Sequence, residues 1–202
     1  EARPIKLIAG NSPFCETFFT DVVVPKENLI GRLNGGWTVA KRLLQFERSD
    51  QGAGSEGRSV GAMTASLGVR AKRYVGEDGQ GRLADAELRA RMVQHEIEDH
   101  ALQLTGSRVA REARSNAGPS GATSVMKNAT ARVVQNQAEL TVEIMGGQGL
   151  GWEGDGFEAA ELEAVRNWLG GKAALIAGGS NEVQNNIISK RILGLPDPAP
   201  AR

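Results

Sequence analysis

The first side chain that could carry chemistry is Glu47, which follows an apolar helix pattern and directly precedes Arg48. A carboxylate held in a pocket that excludes water can act as a general base. An acid beside an arginine is also typical of an ion pair at the protein surface. The local pattern therefore leaves both interpretations of Glu47 open.

Two glycine-containing segments could receive a ligand at the end of a helix. In residues 177–182, Gly178 and Gly179 precede a helix start capped by Ser180, where unpaired N–H groups and a partial positive charge favour an anion. In residues 143–149, glycines end a helix and would let a flat or diphosphate-bearing ligand approach the backbone. Each segment is also typical of an ordinary helix cap.

Other patterns indicate structure rather than chemistry. His95 and His100 lie five positions apart and do not share a helix face, so we predict no metal site. His95 and Asp99 lie four apart, which is typical of a solvated pair on a helix. Cys15, the single cysteine, excludes an internal disulfide, and its strand pattern predicts a buried thiol. The GxGxxG match at residues 149–154 follows a helix instead of a strand, which favours a glycine-rich turn.

These groups must be positioned by elements that the sequence predicts to be mainly helical. Residues 14–19 and 21–25 are predicted strands, because they are rich in aromatic and β-branched side chains. Residues 76–81 form a predicted loop. The periodicity and the Gly and Pro positions predict helices at residues 37–73, 84–115, 119–145 and 157–169, and a final helix from Ser180 to Gly194.

Composition narrows the class of protein. The 202 residues carry 24 Lys and Arg against 24 Asp and Glu, so charge gives no reason to expect nucleic acid or an anionic membrane as a partner. No apolar run approaches the roughly 18 residues of a membrane span, and we expect a cytoplasmic protein. The 26 glycines and the aromatic content of 4% predict closely packed helices.

Four segments resemble the acyl-CoA dehydrogenase family. Residues 179–196 resemble its C-terminal signature, residues 18–25 the last strands of its middle β-domain, residues 35–37 the entry to its C-terminal helical domain, and residues 145–149 its flavin-contacting turn. The resemblance implies a mainly α fold, a C-terminal four-helix-type bundle with a short N-terminal β remnant. It divides the chain into the end of the β-domain (1–34), the bundle (35–195) and a tail (196–202).

The resemblance also implies a reaction, the α,β-dehydrogenation of an acyl-CoA thioester with FAD as cofactor. Glu47 would be the catalytic base, and Gln45, Arg48 and Gly179 would border the substrate. The implied cofactor contacts are Arg73, Gly146, Gly147, Ser180, Asn181 and Glu182. The implied partners are an electron-transfer flavoprotein or a similar acceptor, and further copies of the chain in a dimer or tetramer that shares its flavin sites between subunits.

The chain departs from the family pattern in three places. Gly178 occupies the position where many members carry the base, whereas Glu47-Arg48 matches a branch that carries its base on the first bundle helix. The family's flavin-diphosphate motif, expected near residues 70–76, is degraded. Glu143 stands where the family usually has a Gln. The resemblance covers only the second half of a normal subunit. A non-catalytic subunit that completes the flavin pocket of another chain is therefore the alternative function.

Overall fold

Two short antiparallel strands begin the chain, β1 (Ala2–Ile5) and β2 (Phe14–Thr17), with Ala2 opposite Thr17 and Ile5 opposite Phe14. This computed structural model describes residues 1–43, 60–114 and 122–197. The chain divides into two compact units, residues 1–59 and 60–202. Within the first unit a helix, α1, occupies residues 36–43 and follows Gly35.

Two sequence predictions for the first unit are wrong. Residues 21–25 do not form a strand, because Asp21 adopts a left-handed turn conformation (φ 52°) and no strand of the described residues pairs with the valines that follow. Cys15 is exposed rather than buried. The sheet has only two strands and both are exposed, so its alternating side chains meet no core.

The second unit contains five helices in its described residues. They are α2 (Val60–Tyr74), α3 (Ala86–Arg114), α4 (Ala122–Met145), α5 (Ala159–Gly171) and α6 (Asn181–Ile187). The predicted mainly helical fold with a short N-terminal sheet is confirmed. The helix predicted at residues 37–73 is helical at both described ends, and its middle, residues 44–59, lies outside the described part of the chain.

Helix α4 packs against α2, α3, α5 and α6 and so forms the centre of the unit. One buried cluster joins α2, α3, α4 and the loop before α3, and it consists of Leu67, Ala71, Leu83, Leu88, Leu140 and Ile144. A second cluster joins the end of α4 to α5 and consists of Met145, Ala164 and Val165. Tyr74 packs against both clusters, so the last turn of α2 connects the two parts of the core.

Helix ends follow their local sequence. Gly76 and Gly81 adopt positive φ angles (89° and 73°) in the predicted loop between α2 and α3. Ser180 caps α6 by accepting a hydrogen bond from the Val183 N–H. After α6 the chain forms a wider turn over Ile188–Ile192, and Gly194 (φ 64°) ends it as predicted.

A buried polar pair lies on α3, which contradicts the prediction of a solvated pair. His95 is 2% exposed and Asp99 is 3% exposed, and Gln103 donates a hydrogen bond of 2.7 Å to Asp99 Oδ2. Burial lowers the pKa of His95, while the negative charges of Asp99, Glu98 and Glu96 raise it to a smaller extent. The four-residue spacing places both side chains on one face of α3, as predicted. It could not show that this face packs inward.

We expect His95 to make folding stability depend on pH. Above the ordinary histidine pKa of 6.5, the ring is neutral in both the folded and the unfolded chain. As the pH falls below that value, the unfolded chain binds the proton first. The free energy of unfolding should then fall by up to about 1.4 kcal/mol per pH unit until the folded chain is also protonated.

The measurement is urea unfolding between pH 5 and pH 8, values chosen to bracket the ordinary histidine pKa of about 6.5. In His95→Leu the pH slope over this range should be shallower than in the wild type. His100→Gln is the control, because His100 lies exposed on the same helix. Equal slopes in the wild type and His95→Leu would contradict the expectation.

Candidate functional site

The turn that follows α4 is the part of the predicted site with the most open backbone. Gly146–Leu150 forms a short 3-10 helix directly after Met145. Gly146 has a φ of 54°, and a Cβ placed on Gly146 or Gly147 would meet no atom within 4 Å. A flat group could therefore lie against this backbone.

Gly149, in the same turn, is needed for packing against α4 and offers no open backbone to a ligand. It is buried, and a Cβ added to it would lie 2.4 Å from the carbonyl oxygen of Val142. That oxygen belongs to the backbone of α4 and cannot move aside. The turn can approach the helix only because residue 149 has no side chain.

Arg73 lies in the last turn of α2 and forms an ion pair with Glu158, which precedes α5. The hydrogen bond from Arg73 to Glu158 raises the pKa of Arg73. The neighbouring Tyr74 donates its hydroxyl to Glu161, and this bond lowers the pKa of Glu161. Glu158 and Glu161 also exchange hydrogen bonds with the backbone at the start of α5, which forms a capping box.

Arg73 and Gln148, a residue of the glycine turn, line one open pocket of about 440 Å³, whereas the predicted cofactor contacts Gly146 and Gly147 are not part of its lining. Its lining is Arg73, Tyr74, Gln148, Asp155, Gly156, Phe157, Glu158 and Glu161. The lining thus contains three carboxylates and one guanidinium. The family resemblance predicted a cofactor contact at Arg73, but no sequence signal predicted the acids, which are 82 or more positions away along the chain.

This charge balance bears on whether FAD fits. The open backbone at Gly146 and Gly147 suits a flat ring system. The diphosphate of FAD is anionic, and the Arg73 guanidinium is already bound to Glu158 with Asp155 and Glu161 close by. Like charges repel in a partly enclosed site. The residues of this chain alone therefore fit the ring of the cofactor better than its diphosphate.

Glu143, which stands where the family usually has a Gln, is also engaged within the chain. Arg91 of α3 makes two hydrogen bonds to its carboxylate, and Nη2 lies 2.6 Å from Oε2. A bidentate pair of this kind fixes both side chains in orientation. The bond to Glu143 raises the pKa of Arg91.

The second predicted segment, residues 178–182, has a backbone that requires its glycines. Gly178 and Gly179 adopt φ angles of 70° and 96°. The buried Gln184 donates from Nε2 to the Gly178 carbonyl over 2.9 Å, and a Cβ on Gly179 would lie 3.1 Å from the same Nε2. The two glycines therefore form a tight turn around the Gln184 side chain.

The polar groups that follow these glycines have partners inside the chain. A backbone N–H and the Ser180 hydroxyl lower the pKa of Glu182, so its carboxylate occupies the start of α6. Lys127 of α4 donates to Asn181 Oδ1 over 3.1 Å and to the Leu175 carbonyl over 3.2 Å. α6 itself has seven residues.

The two predicted cofactor segments contact opposite ends of α4. Asn181 is bound at Lys127, near the start of that helix, whereas Gly146 follows its last residue. At a rise of 1.5 Å per residue, the separation along the helix is about 28 Å. Within one chain, these segments do not converge on one small group. The predicted substrate and base residues Gln45, Glu47 and Arg48 lie outside the described residues.

A sequence profile described as the acyl-CoA dehydrogenase C-terminal domain matches residues 34–193. The chain belongs to the acyl-CoA dehydrogenase family. The resemblance noted from the sequence is thereby confirmed. The matched residues include all the described helices of the second unit and the glycine turn. They also include the segment that contains Glu47.

This acyl-CoA dehydrogenase family member is similar to curated acyl-CoA dehydrogenases. It is 33% identical to acyl-CoA dehydrogenase IpdE1 of Mycolicibacterium smegmatis over 199 residues, which is 97% of this chain and 46% of that protein. It is 30% identical to acyl-CoA dehydrogenase FadE34 of Mycobacterium tuberculosis over 197 residues, 97% of this chain and 25% of that protein. The chain spans about half the length, or less, of the curated relatives that it matches.

Solved structures share the fold of this acyl-CoA dehydrogenase family member. The ChsE4-ChsE5 complex from Mycobacterium tuberculosis matches with a TM-score of 0.72 and 23% identity, over 98% of this chain and 50% of that one. Glutaryl-coenzyme A dehydrogenase in complex with glutaryl-CoA matches with a TM-score of 0.70 and 21% identity, over 97% and 48%.

Two further features concern only the described parts of the chain, residues 1–43, 60–114 and 122–197. None of their helices has the length and apolar character needed to cross a membrane. None of their His, Cys, Asp and Glu side chains form a group of three or more that could hold a metal ion.

The glycine turn yields a matched pair of substitutions. Gly149→Ala should lower the free energy of unfolding by about 1 to 3 kcal/mol, because its methyl group would overlap the Val142 carbonyl. Gly147→Ala should leave stability unchanged or raise it slightly, because its methyl group meets open space. Urea unfolding of the two variants measures this difference, and equal stability of both would refute the packing role of Gly149.

Proposed function

We propose that this chain provides the C-terminal helical domain, residues 35–195, of a FAD-dependent acyl-CoA dehydrogenase. The observation that carries the proposal is the family match over residues 34–193, which includes both Glu47 and the glycine turn at Gly146 and Gly147. Residues 1–34 would be the end of the preceding β-domain, and residues 196–202 a tail. The sheet and the open backbone of the turn support this division.

The proposed reaction introduces a double bond between the α- and β-carbons of an acyl-CoA thioester. Glu47 takes the α-proton, for which its carboxylate needs a raised pKa and a site closed to water. Gly146 and Gly147 of one subunit and residues 180–182 of another would hold FAD, which would supply the hydride acceptor for the β-carbon, with an electron-transfer flavoprotein or a similar protein as the final electron acceptor. Gln45, Arg48 and Gly179 would border the thioester, with the Arg48 cation orienting the substrate.

The flavin site would be built from two chains. The glycine turn after α4 and the segment from Ser180 to Glu182 lie about 28 Å apart along α4, so one chain presents them to different sites. A dimer lets the turn of one subunit and the Ser180 segment of another meet at a single cofactor. The dimer or tetramer expected from the sequence would serve this purpose.

The alternative proposal is a partner subunit that binds no flavin diphosphate of its own. The Arg73–Glu158 ion pair, with Asp155 and Glu161 beside it, favours this role, because the cation expected to meet the diphosphate is already neutralised. A solved relative of the same fold is described as a complex of two chains, ChsE4 and ChsE5. In such a pair, the chain could complete a pocket whose diphosphate contacts lie on the other subunit.

The approach of flavin to the glycine turn can be tested without disturbing the fold. In the whole native polypeptide, Gly147→Val should lose most of its bound flavin, because the side chain would project into the space that the cofactor needs. Gly171→Val, at the end of α5 and also in open space, is the control and should keep its flavin. The measurement is the flavin-to-protein ratio after gel filtration. Normal flavin content in Gly147→Val would remove the turn from the site.

Glu47→Gln separates the enzyme from the partner subunit. It keeps the shape of the side chain but cannot accept a proton, so an enzyme should lose flavin bleaching by substrate at least about a hundredfold in rate. Flavin content should stay unchanged. The measurement is single-turnover bleaching of the native assembly with an acyl-CoA that it oxidises. A near-normal rate would place the base on another residue or another chain and would favour the partner-subunit function.

A further inference from the structure

Gln184 is the buried residue of α6, and its side-chain amide bonds to a backbone group that lies outside the helix. It is 6% exposed, and Nε2 donates to the Gly178 carbonyl over 2.9 Å. A carbonyl oxygen only accepts hydrogen bonds, so the amide must present an N–H to it. The main-chain N–H of Gln184 also donates to the Ser180 carbonyl over 3.0 Å. This one residue therefore holds the turn at residues 178–180 at both of its ends.

The bond from Gln184 sets the direction of the peptide group between Gly178 and Gly179. In a trans peptide the C=O and the N–H point to opposite sides, and this peptide is trans. Because the Gly178 carbonyl is turned toward the buried amide, the Gly179 N–H is turned away from it. No described residue accepts a hydrogen bond from that N–H. The turn therefore presents a backbone donor whose direction is fixed by a side chain six positions later.

The two glycines by themselves would not fix this direction. Glycine populates positive and negative φ angles about equally, so two in succession allow the peptide group between them to rotate. The observed φ angles of 70° and 96° are one choice among several. A Cβ on Gly179 would lie 3.1 Å from Nε2 of Gln184, so a side chain there would press on the amide that makes the bond. The conformation of the turn thus depends on the Gln184 amide.

The proposed reaction needs a donor with a fixed direction. When Glu47 removes the α-proton, negative charge develops on the carbonyl oxygen of the thioester. An N–H that is already aimed at that oxygen stabilises the transition state more than the bound substrate, because the charge on the oxygen is larger in the transition state. Gly179 would border the thioester in the proposed site, and its N–H is the one hydrogen-bond donor that a glycine has.

We propose that Gln184 is a positioning residue, which holds the Gly178–Gly179 peptide so that the Gly179 N–H donates to the carbonyl oxygen of the thioester. Gln184 does not touch the substrate and acts only through the backbone of the turn. The inference rests on the proposed dehydrogenase function, with Glu47 as the base and Gly179 beside the thioester. It adds a residue that controls the rate of α-proton removal from behind the site.

Gln184→Met tests the role, because methionine keeps the length of the unbranched side chain but has no donor for the Gly178 carbonyl. Gln137→Met is the matched control. Gln137 is also a buried glutamine, 5% exposed, on α4. It lies ten positions after Lys127, which binds Asn181, and so about 15 Å further along the helix. Both variants replace a buried amide by a thioether, and urea unfolding measures what each costs in stability.

The first measurement is single-turnover flavin bleaching of the whole native assembly with an acyl-CoA that it oxidises. At saturating substrate, Gln184→Met should bleach roughly tenfold to a hundredfold more slowly, somewhat less than the loss caused by removing a transition-state donor outright. The dissociation constant of the acyl-CoA should rise only a few-fold, since the bond matters less before charge develops. Flavin content should stay unchanged, and Gln137→Met should bleach at the wild-type rate.

The second measurement is the infrared frequency of the thioester carbonyl in the bound state. The probe is an acyl-CoA whose β-carbon is replaced by sulfur, which has no hydride to give, with carbon-13 at the carbonyl. A hydrogen bond to the carbonyl oxygen lowers its stretching frequency, so the frequency should rise in Gln184→Met and stay at the wild-type value in Gln137→Met. Gln184→Glu, whose carboxylate cannot donate, is the second variant and should show the same rise.

Three results would overturn the proposal and leave the dehydrogenase function standing. The first is a wild-type bleaching rate in Gln184→Met and Gln184→Glu. The second is an equal loss of rate in Gln184→Met and Gln137→Met, which would mean that any lost buried amide has this effect. The third is an unchanged carbonyl frequency in both Gln184 variants. Normal bleaching in Glu47→Gln is a different result, because it contradicts the proposed function and with it this inference.

Discussion

The packing of α4 against four other helices is the constraint on which the rest of the second unit depends. Leu140 and Ile144 join α2 and α3 to it, and Met145 joins α5. Tyr74 packs against both clusters and donates its hydroxyl to Glu161, so the last turn of α2 is held in place from two sides. The pocket at Arg73 and the glycine turn after α4 owe their positions to these same contacts.

The helices and the glycine turns were predictable because their signals are local. The spacing of apolar residues placed α3, α4 and α5 within a few residues of their observed bounds, and Gly146, Gly178 and Gly194 ended or began helices where expected. A cap or a positive φ angle needs only the residues beside it. The family signature added what local physics could not provide, namely the family itself, on which the proposed reaction and cofactor rest.

The surroundings of these residues were not predictable, because they depend on contacts between distant parts of the chain. The sequence predicted that Arg73 contacts the cofactor. In the structure its guanidinium is bound to Glu158, 85 positions later in the chain. His95 and Asp99 have the spacing of a surface pair, and only the packing of α3 against α4 buries them. Cys15 shows the reverse, since its strand pattern indicated burial but the two-stranded sheet has no covered face.

The attachment of α6 has a consequence for local unfolding. Lys127 and Asn128 hold this segment to α4 through hydrogen bonds to Asn181, Asn185 and the Leu175 carbonyl, and Gln184 is its only buried residue. Little apolar surface is exposed when such a segment detaches, so opening it costs less free energy than opening the core around Leu140. The amide hydrogens of α6 should therefore exchange with solvent through a local opening. Those at the centre of α4 should exchange only when the whole unit unfolds.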